Sequence, residues 1–148
     1  MKKIAIALVL FISLSAHTCN EKTVKAVGDD TSMTKAASLL ESKWVLQTVE
    51  GNAIKMPEGA EKPWVKLAKE GSKIEGFGGC NNLFGGFELN GDAIKFPNLA
   101  STKKYCEEVQ PTETAFMSAL RSTDHFKLDG STLKLFQGTR ELIGLQPE

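Results

Sequence analysis

The chain has 148 residues, 41% of them apolar and 24% charged, with 18 basic side chains against 18 acidic ones. That describes one globular domain with enough apolar material for a core of ordinary size. Balanced charge without a basic stripe removes nucleic acid from the list of partners, and 13 Gly with 5 Pro are too few for a collagen-like or Pro-rich disordered chain.

Lys2-Lys3 and the eleven-residue apolar run Ile4 to Leu14 have the make-up of a secretory signal peptide over residues 1–18. The run is too short for a bilayer-spanning helix, which takes about 20 residues. It leads into Leu14-Ser15-Ala16-His17-Thr18-Cys19, which resembles the lipobox of bacterial lipoproteins. Cys19 is therefore the expected lipidation site, anchoring the exported chain to the cell envelope, in the periplasm or at the outer membrane. Cleavage near Ala16 or Thr18 without lipidation is the alternative.

Of the three cysteines, Cys19, Cys80 and Cys106, an odd one needs a separate fate in an exported protein. With Cys19 lipidated, Cys80 and Cys106 can form one disulfide in an oxidising compartment; two buried free thiols are the other reading. Removing the leader leaves 16 basic and 18 acidic residues, a net charge of −2, and a single histidine, His125.

From Cys19 to about Ser38 the sequence is polar and lacks a sustained apolar period, as a tether does, with a short helix starting near Met33 at its end. The domain proper spans residues 39–148. Within it, short runs rich in Val, Ile, Leu, Trp and Phe are separated by turn signals at Glu50-Gly51, Glu70-Gly71, Asn90-Gly91, Asp129-Gly130 and Gln137-Gly138. This is the pattern of a β-meander. Trp44 and Leu46 share a face, as do Val65 and Leu67, Phe126 and Leu128, and Leu133 and Leu135. Lys66, Lys127 and Lys134 stand opposite, so the sheet is wet on one side.

One segment departs from period two. Val109 to Ser122 places Pro111 in a first helical turn, Glu113 near the positive end of the helix, and Phe116, Ala119 and Leu120 at helical spacing. A mainly β chain with one helix covering an open end or edge implies a small antiparallel β-barrel or roll. Trp44, Phe84, Phe87, Phe96 and Phe126 are large enough to fill it.

Glu75 to Phe87, EGFGGCNNLFGGF, holds five glycines. A dinucleotide loop needs a third Gly where Asn81 stands, and a P-loop needs Gly-Lys-Ser/Thr. A nucleophile elbow is missing too. The glycines read better as corners and bulges, with Asn81 and Asn82 supplying turns or hydrogen bonds to the loop backbone.

Taken together, Trp44-Val45-Leu46 with Gly51, Gly76-Phe77-Gly78-Gly79-Cys80-Asn81 with Phe84-Gly85-Gly86, Ser101-Thr102-Lys103-Lys104-Tyr105-Cys106, Glu113-Thr114-Ala115-Phe116 with Ala119-Leu120, and Leu133-Lys134-Leu135 resemble the META domain of HslJ-like heat-shock lipoproteins. The likeness covers about Leu39 to Leu145, with Tyr105 standing where Met or Ala is common. It implies a compact β-rich domain of lipocalin-like topology, exported and often lipid-anchored, linked to envelope stress, with no settled catalytic activity.

The residue inventory supplies no catalytic set. Histidine-based catalysis has only His125, beside Asp124 at the start of a strand, where a surface histidine is the plain reading. Zinc would have to gather Cys80, Cys106 and His125 with a carboxylate, without any usual ligand spacing, so neither a metal nor a cofactor is expected. Glu107-Glu108 and Lys103-Lys104 read as solvated pairs. The expectation is a monomeric, non-catalytic envelope module whose surface meets another envelope protein or the cell wall. A binder of a small apolar or amphipathic molecule inside the barrel is the alternative, and an enzyme comes last.

Overall fold

The computed structural model describes residues 37–40 and 42–148. The expected signal peptide, Cys19 and the tether up to residue 36 lie outside the described residues, as does the start of the short helix near Met33; residues 37–39 are helical.

Eleven strands and one principal helix follow. They are β1 (Lys43–Val49), β2 (Asn52–Ala53), β3 (Trp64–Ala68), β4 (Lys73–Phe77), β5 (Asn82–Gly86), β6 (Glu88–Asn90), β7 (Ala93–Lys95), β8 (Ala100–Ser101), α1 (Gln110–Ser122), β9 (His125–Asp129), β10 (Thr132–Gln137) and β11 (Arg140–Pro147). The two-residue alternation places the side chains as expected, with Trp44, Leu46, Val65, Leu67, Ile74, Phe126, Leu133 and Leu135 all buried. At the β1–β2 turn both Glu50 and Gly51 adopt left-handed φ, 51° and 78°. That geometry matches the twist of the flanking strands and so closes a tight hairpin. Glu70-Gly71 differs from the expected two-residue turn. A 3₁₀ turn over Glu70–Ser72 takes its place, with both Gly71 and Ser72 at positive φ.

All pairings are antiparallel, in the order β6-β7-β9-β10-β11-β1-β3-β4-β5-β8, with β2 added to the far half of β1. β5 and β6 lie near opposite ends of this order yet are separated in the chain only by Phe87. The sheet must therefore curl until its ends approach. Phe87 N–H donates to Ser72 O at 2.9 Å and Gly86 N–H to Pro97 O at 3.2 Å, fixing the bend. The expected barrel or roll is realised as a curled half-barrel.

The helix α1 packs onto β11, β1 and β10. It begins one residue later than expected, with Val109 as its cap and Pro111 in the first turn, where a missing N–H costs nothing. Phe116 and Leu120 enter the core beside Leu46, Phe126, Leu135 and Ile143, all essentially inaccessible. Trp44 is buried with them, and its indole N–H donates to Leu39 O at 2.9 Å, tying the 37–39 turn to the sheet. Each such side chain contributes about 1.5–3 kcal/mol by leaving water. Phe87 and Phe96 are interior as expected, but Phe84 is not. Leu83 takes the inward position on β5, so Phe84 falls on the outer face and is 52% exposed.

Candidate functional site

The glycine-rich segment sits where β4 turns into β5, and Gly78 N–H closes that turn on Asn81 O at 2.7 Å. Of its five glycines only Gly79 needs positive φ (111°). Gly76, Gly78 and Gly85 are required for a different reason, close approach. A Cβ on Gly76 would overlap Trp64 O, one on Gly78 would stand 2.6 Å from Glu113 Oε2, and one on Gly85 would stand 3.0 Å from Leu99 Cα.

The approach at Gly78 brings the helix carboxylate onto the loop. Glu113 Oε2 accepts from Asn81 N–H at 2.7 Å and from Cys80 N–H at 3.1 Å, while Oε1 accepts from Asn81 Nδ2 at 2.6 Å. Asn81 is used to capacity. Its Nδ2 also donates to Lys104 O at 3.0 Å, and its Oδ1 accepts from Thr102 Oγ1 at 2.8 Å and Lys104 N–H at 2.7 Å. Both side chains are buried, Asn81 to 3% and Glu113 to 4% exposure. Beside them Cys80 and Cys106 are joined by a disulfide with Cα atoms 5.9 Å apart. The G-G-C-N turn is thus locked to two segments later in the chain, the Ser101 to Cys106 stretch and the first turn of α1. A buried carboxylate would be costly without such donors; here charge-assisted hydrogen bonds replace its water.

Glu113 was legible only as a residue favoured at a helix N-terminus. Its spacing carried more, because Glu113, Phe116, Met117 and Leu120 fall at i, i+3, i+4 and i+7, on the buried stripe. An acid on an apolar stripe is a signal for an internal partner.

His125 lies at the start of β9, half-buried. Its Nδ1 is 2.5 Å from Asp124 Oδ1, and its ring stacks on Phe136 with centroids 5.0 Å apart. Asp124 Oδ2 accepts from Gly138 N–H at 2.8 Å. That backbone donor, and secondarily the hydrogen bond from His125, hold the Asp124 carboxyl below the ordinary aspartate range. The pair thus pins the β10–β11 turn to the start of β9. Cys80 and Cys106 are bonded to each other, so the sulfurs of a Cys80, Cys106 and His125 zinc set are already spent. Among the described residues no three His, Cys, Asp or Glu side chains gather where they could hold a metal. Lys103, Lys104, Glu107 and Glu108 are exposed.

A cleft of about 660 Å³ opens at one end of the half-barrel, outside the packed core. One wall is the outward stripe of α1, Pro111, Ala115, Ser118 and Ser122; the other is the β1–β2 hairpin, with Arg140 at the rim. Sequence reading did not anticipate it, because β2 and α1 meet only through the fold. Among the described residues no helix is long and apolar enough to cross a membrane.

Two solved structures share this architecture. One NMR structure superimposes with a TM-score of 0.59 at 18% identity, covering 74% of this chain and 92% of its own. A second, of a protein from Burkholderia xenovorans, gives 0.60 at 24% identity, covering 76% and 87%. At such identities the likeness is one of fold. No curated protein matches the chain. The META domain family's sequence profile, however, matches residues 37–147. That stretch holds the whole half-barrel, its helix and the lock among Asn81, Glu113 and the disulfide, and the chain belongs to the META domain family.

Proposed function

We propose that the protein is an exported, lipid-anchored component of the cell envelope that acts by contact and without turnover, as a stress-related interaction or structural module. The observation that carries this reading is the use made of the side chains capable of chemistry. Glu113, the buried acid, has both oxygens committed to the 78–81 turn. His125 and Asp124 are engaged with each other, with Phe136 and with Gly138. The space between sheet and helix is filled by Phe116, Phe126 and their neighbours, which speaks against a small molecule held inside the barrel. Lipid anchoring rests on Cys19 and the leader before it.

The test is complementation of the deleted gene in its own host under envelope stress. His125→Ala restores the wild-type phenotype, whereas Cys19→Ser releases the protein into the aqueous phase of a detergent partition and impairs rescue. A His125→Ala protein that accumulates normally and fails to complement overturns the non-catalytic reading; a Cys19→Ser protein still in the detergent phase overturns the anchor.

A further inference from the structure

The cleft beside α1 contains an unused stretch of sheet edge. Because the β1–β2 turn has two residues, Val49 and Asn52 form its closing hydrogen-bonded pair, and the next such contact is Ile54 N–H to Gln47 O at 3.0 Å. Antiparallel pairs alternate, so Ala53, opposite Thr48, directs its N–H and C=O away from β1. Lys55 has the same parity, and its carbonyl already accepts from Thr112 Oγ1 of α1 at 3.2 Å, which shows that this edge faces the helix wall. Ala53 stands two residues earlier on that edge, exposed and lining the cleft.

The opposite wall suits a second backbone. Pro111, Ala115, Ser118 and Ser122 recur at i, i+4, i+7 and i+11, so no long side chain rises from that stripe of the helix. The serine hydroxyls can donate or accept, while Ala119 and Leu142 give the floor an apolar surface. Charges at the rim balance in number: Glu50 pairs with Arg140 at 2.6 Å, and one further residue of each sign, Lys55 and Glu108, lines the cleft. A balanced rim complements neither a polyanion nor a polycation. It complements the uncharged amide backbone of a peptide.

From this we infer that the cleft captures an extended, uncharged polypeptide segment with small side chains, which adds to β2 as a strand through Ala53 and lies against the Ala115–Ser118 face of α1. Strand addition draws affinity from backbone hydrogen bonds and selects side chains by the pockets beside them; the volume is within the usual range for ligand sites, about 300–1,000 Å³. The inference rests on the contact-based reading of function and names the partner class and the site.

The test is an NMR titration of the full mature chain with a pool of capped hexapeptides built from Ala, Ser, Thr and Val, taken to about 5 mM so that weak binding is seen. Saturable shifts are expected at the amides of Ala53, Lys55, Ala115 and Ser118, together with slowed exchange of the Ala53 N–H. Ala115→Trp fills the cleft from an exposed helix position and should weaken binding at least tenfold with an unchanged unfolding midpoint. Ala53→Pro removes the N–H and should act likewise. No saturable shift, shifts that survive Ala115→Trp, or saturation of the same amides by chitotetraose but not by peptides would each overturn the inference. Complementation by His125→Ala is independent of all three outcomes, so failure here is distinguishable from failure of the non-catalytic reading.

Discussion

Replacing Glu113 by alanine should be among the most damaging single changes in the domain. The carboxylate accepts from three donors, the Cys80 and Asn81 amides and the Asn81 side chain, in a place where both loop residues are at most 7% exposed. Deleting it strands two backbone N–H groups and half of an amide, each worth about 1–3 kcal/mol when left unpaired. A water admitted to the vacated space would recover part of this, leaving a loss of about 3–5 kcal/mol. For a domain of this size that lowers Tm by about 15–25 °C. Glu113→Gln separates geometry from charge. Its oxygen can still accept from the two amides, but its NH₂ meets Asn81 Nδ2, donor against donor, so a loss of about 1–2 kcal/mol is expected. Urea unfolding of the oxidised mature protein, followed by near-ultraviolet circular dichroism, measures both. An alanine variant within about 1 kcal/mol of wild type would refute the lock, since the stranded amides alone should exceed that.

Three further outcomes follow from neighbouring features. Gly78→Ala forces a methyl to 2.6 Å from Glu113 Oε2, whereas Gly91→Ala meets nothing within 4 Å and pays only for a φ of 59°. Thermal melts should therefore show a loss of about 1 kcal/mol at Gly91 and at least twice that at Gly78. Reducing the Cys80–Cys106 bridge, which spans 26 residues, should cost about 3.5 kcal/mol in the chain-entropy account; two alkylatable thiols in oxidised native protein would contradict it. Asp124 has its folded pKa depressed, so its stabilising contribution is present above the ordinary aspartate value and is lost as pH falls through the lower, folded one. NMR titration of the carboxyl should find that lowered midpoint, and His125→Ala should raise it only partway, because the Gly138 N–H is the larger cause.

The strands were readable because burial and period two are local properties: Trp44 with Leu46, and Leu133 with Leu135, declare their face within a few residues. Phe84 misled for an instructive reason. Parity decides which side it takes, and Leu83 next to it supplies an equally good inward residue, so composition alone pointed both inside. The glycines were read as conformational, yet three of them are there because another chain segment passes close by, which no local pattern records. Glu113 carried a legible clue in its helical spacing, but its partner Asn81 lies 32 residues away. The cleft left the faintest trace, a run of small residues on one helix face whose opposite wall, β2, is only two residues long.

The position of β1 in the sheet has a consequence for how the chain comes to be folded. It lies between β3 and β11, pairing Trp44 with Pro147 and Leu46 with Leu145, residues about a hundred positions later. Until that closing segment is present, a central strand stands with one flank bare and the core lacks Leu142, Ile143 and Leu145. Such long-range pairing makes assembly slow, since loop entropy must be overcome before the contacts that repay it can form. It also brings the ends of the domain side by side, with Glu148 N–H donating to Lys43 O at 3.0 Å. A permuted chain, joined there and opened at the exposed Asp129-Gly130 turn, would turn the slowest pairing into a neighbouring one and should fold faster.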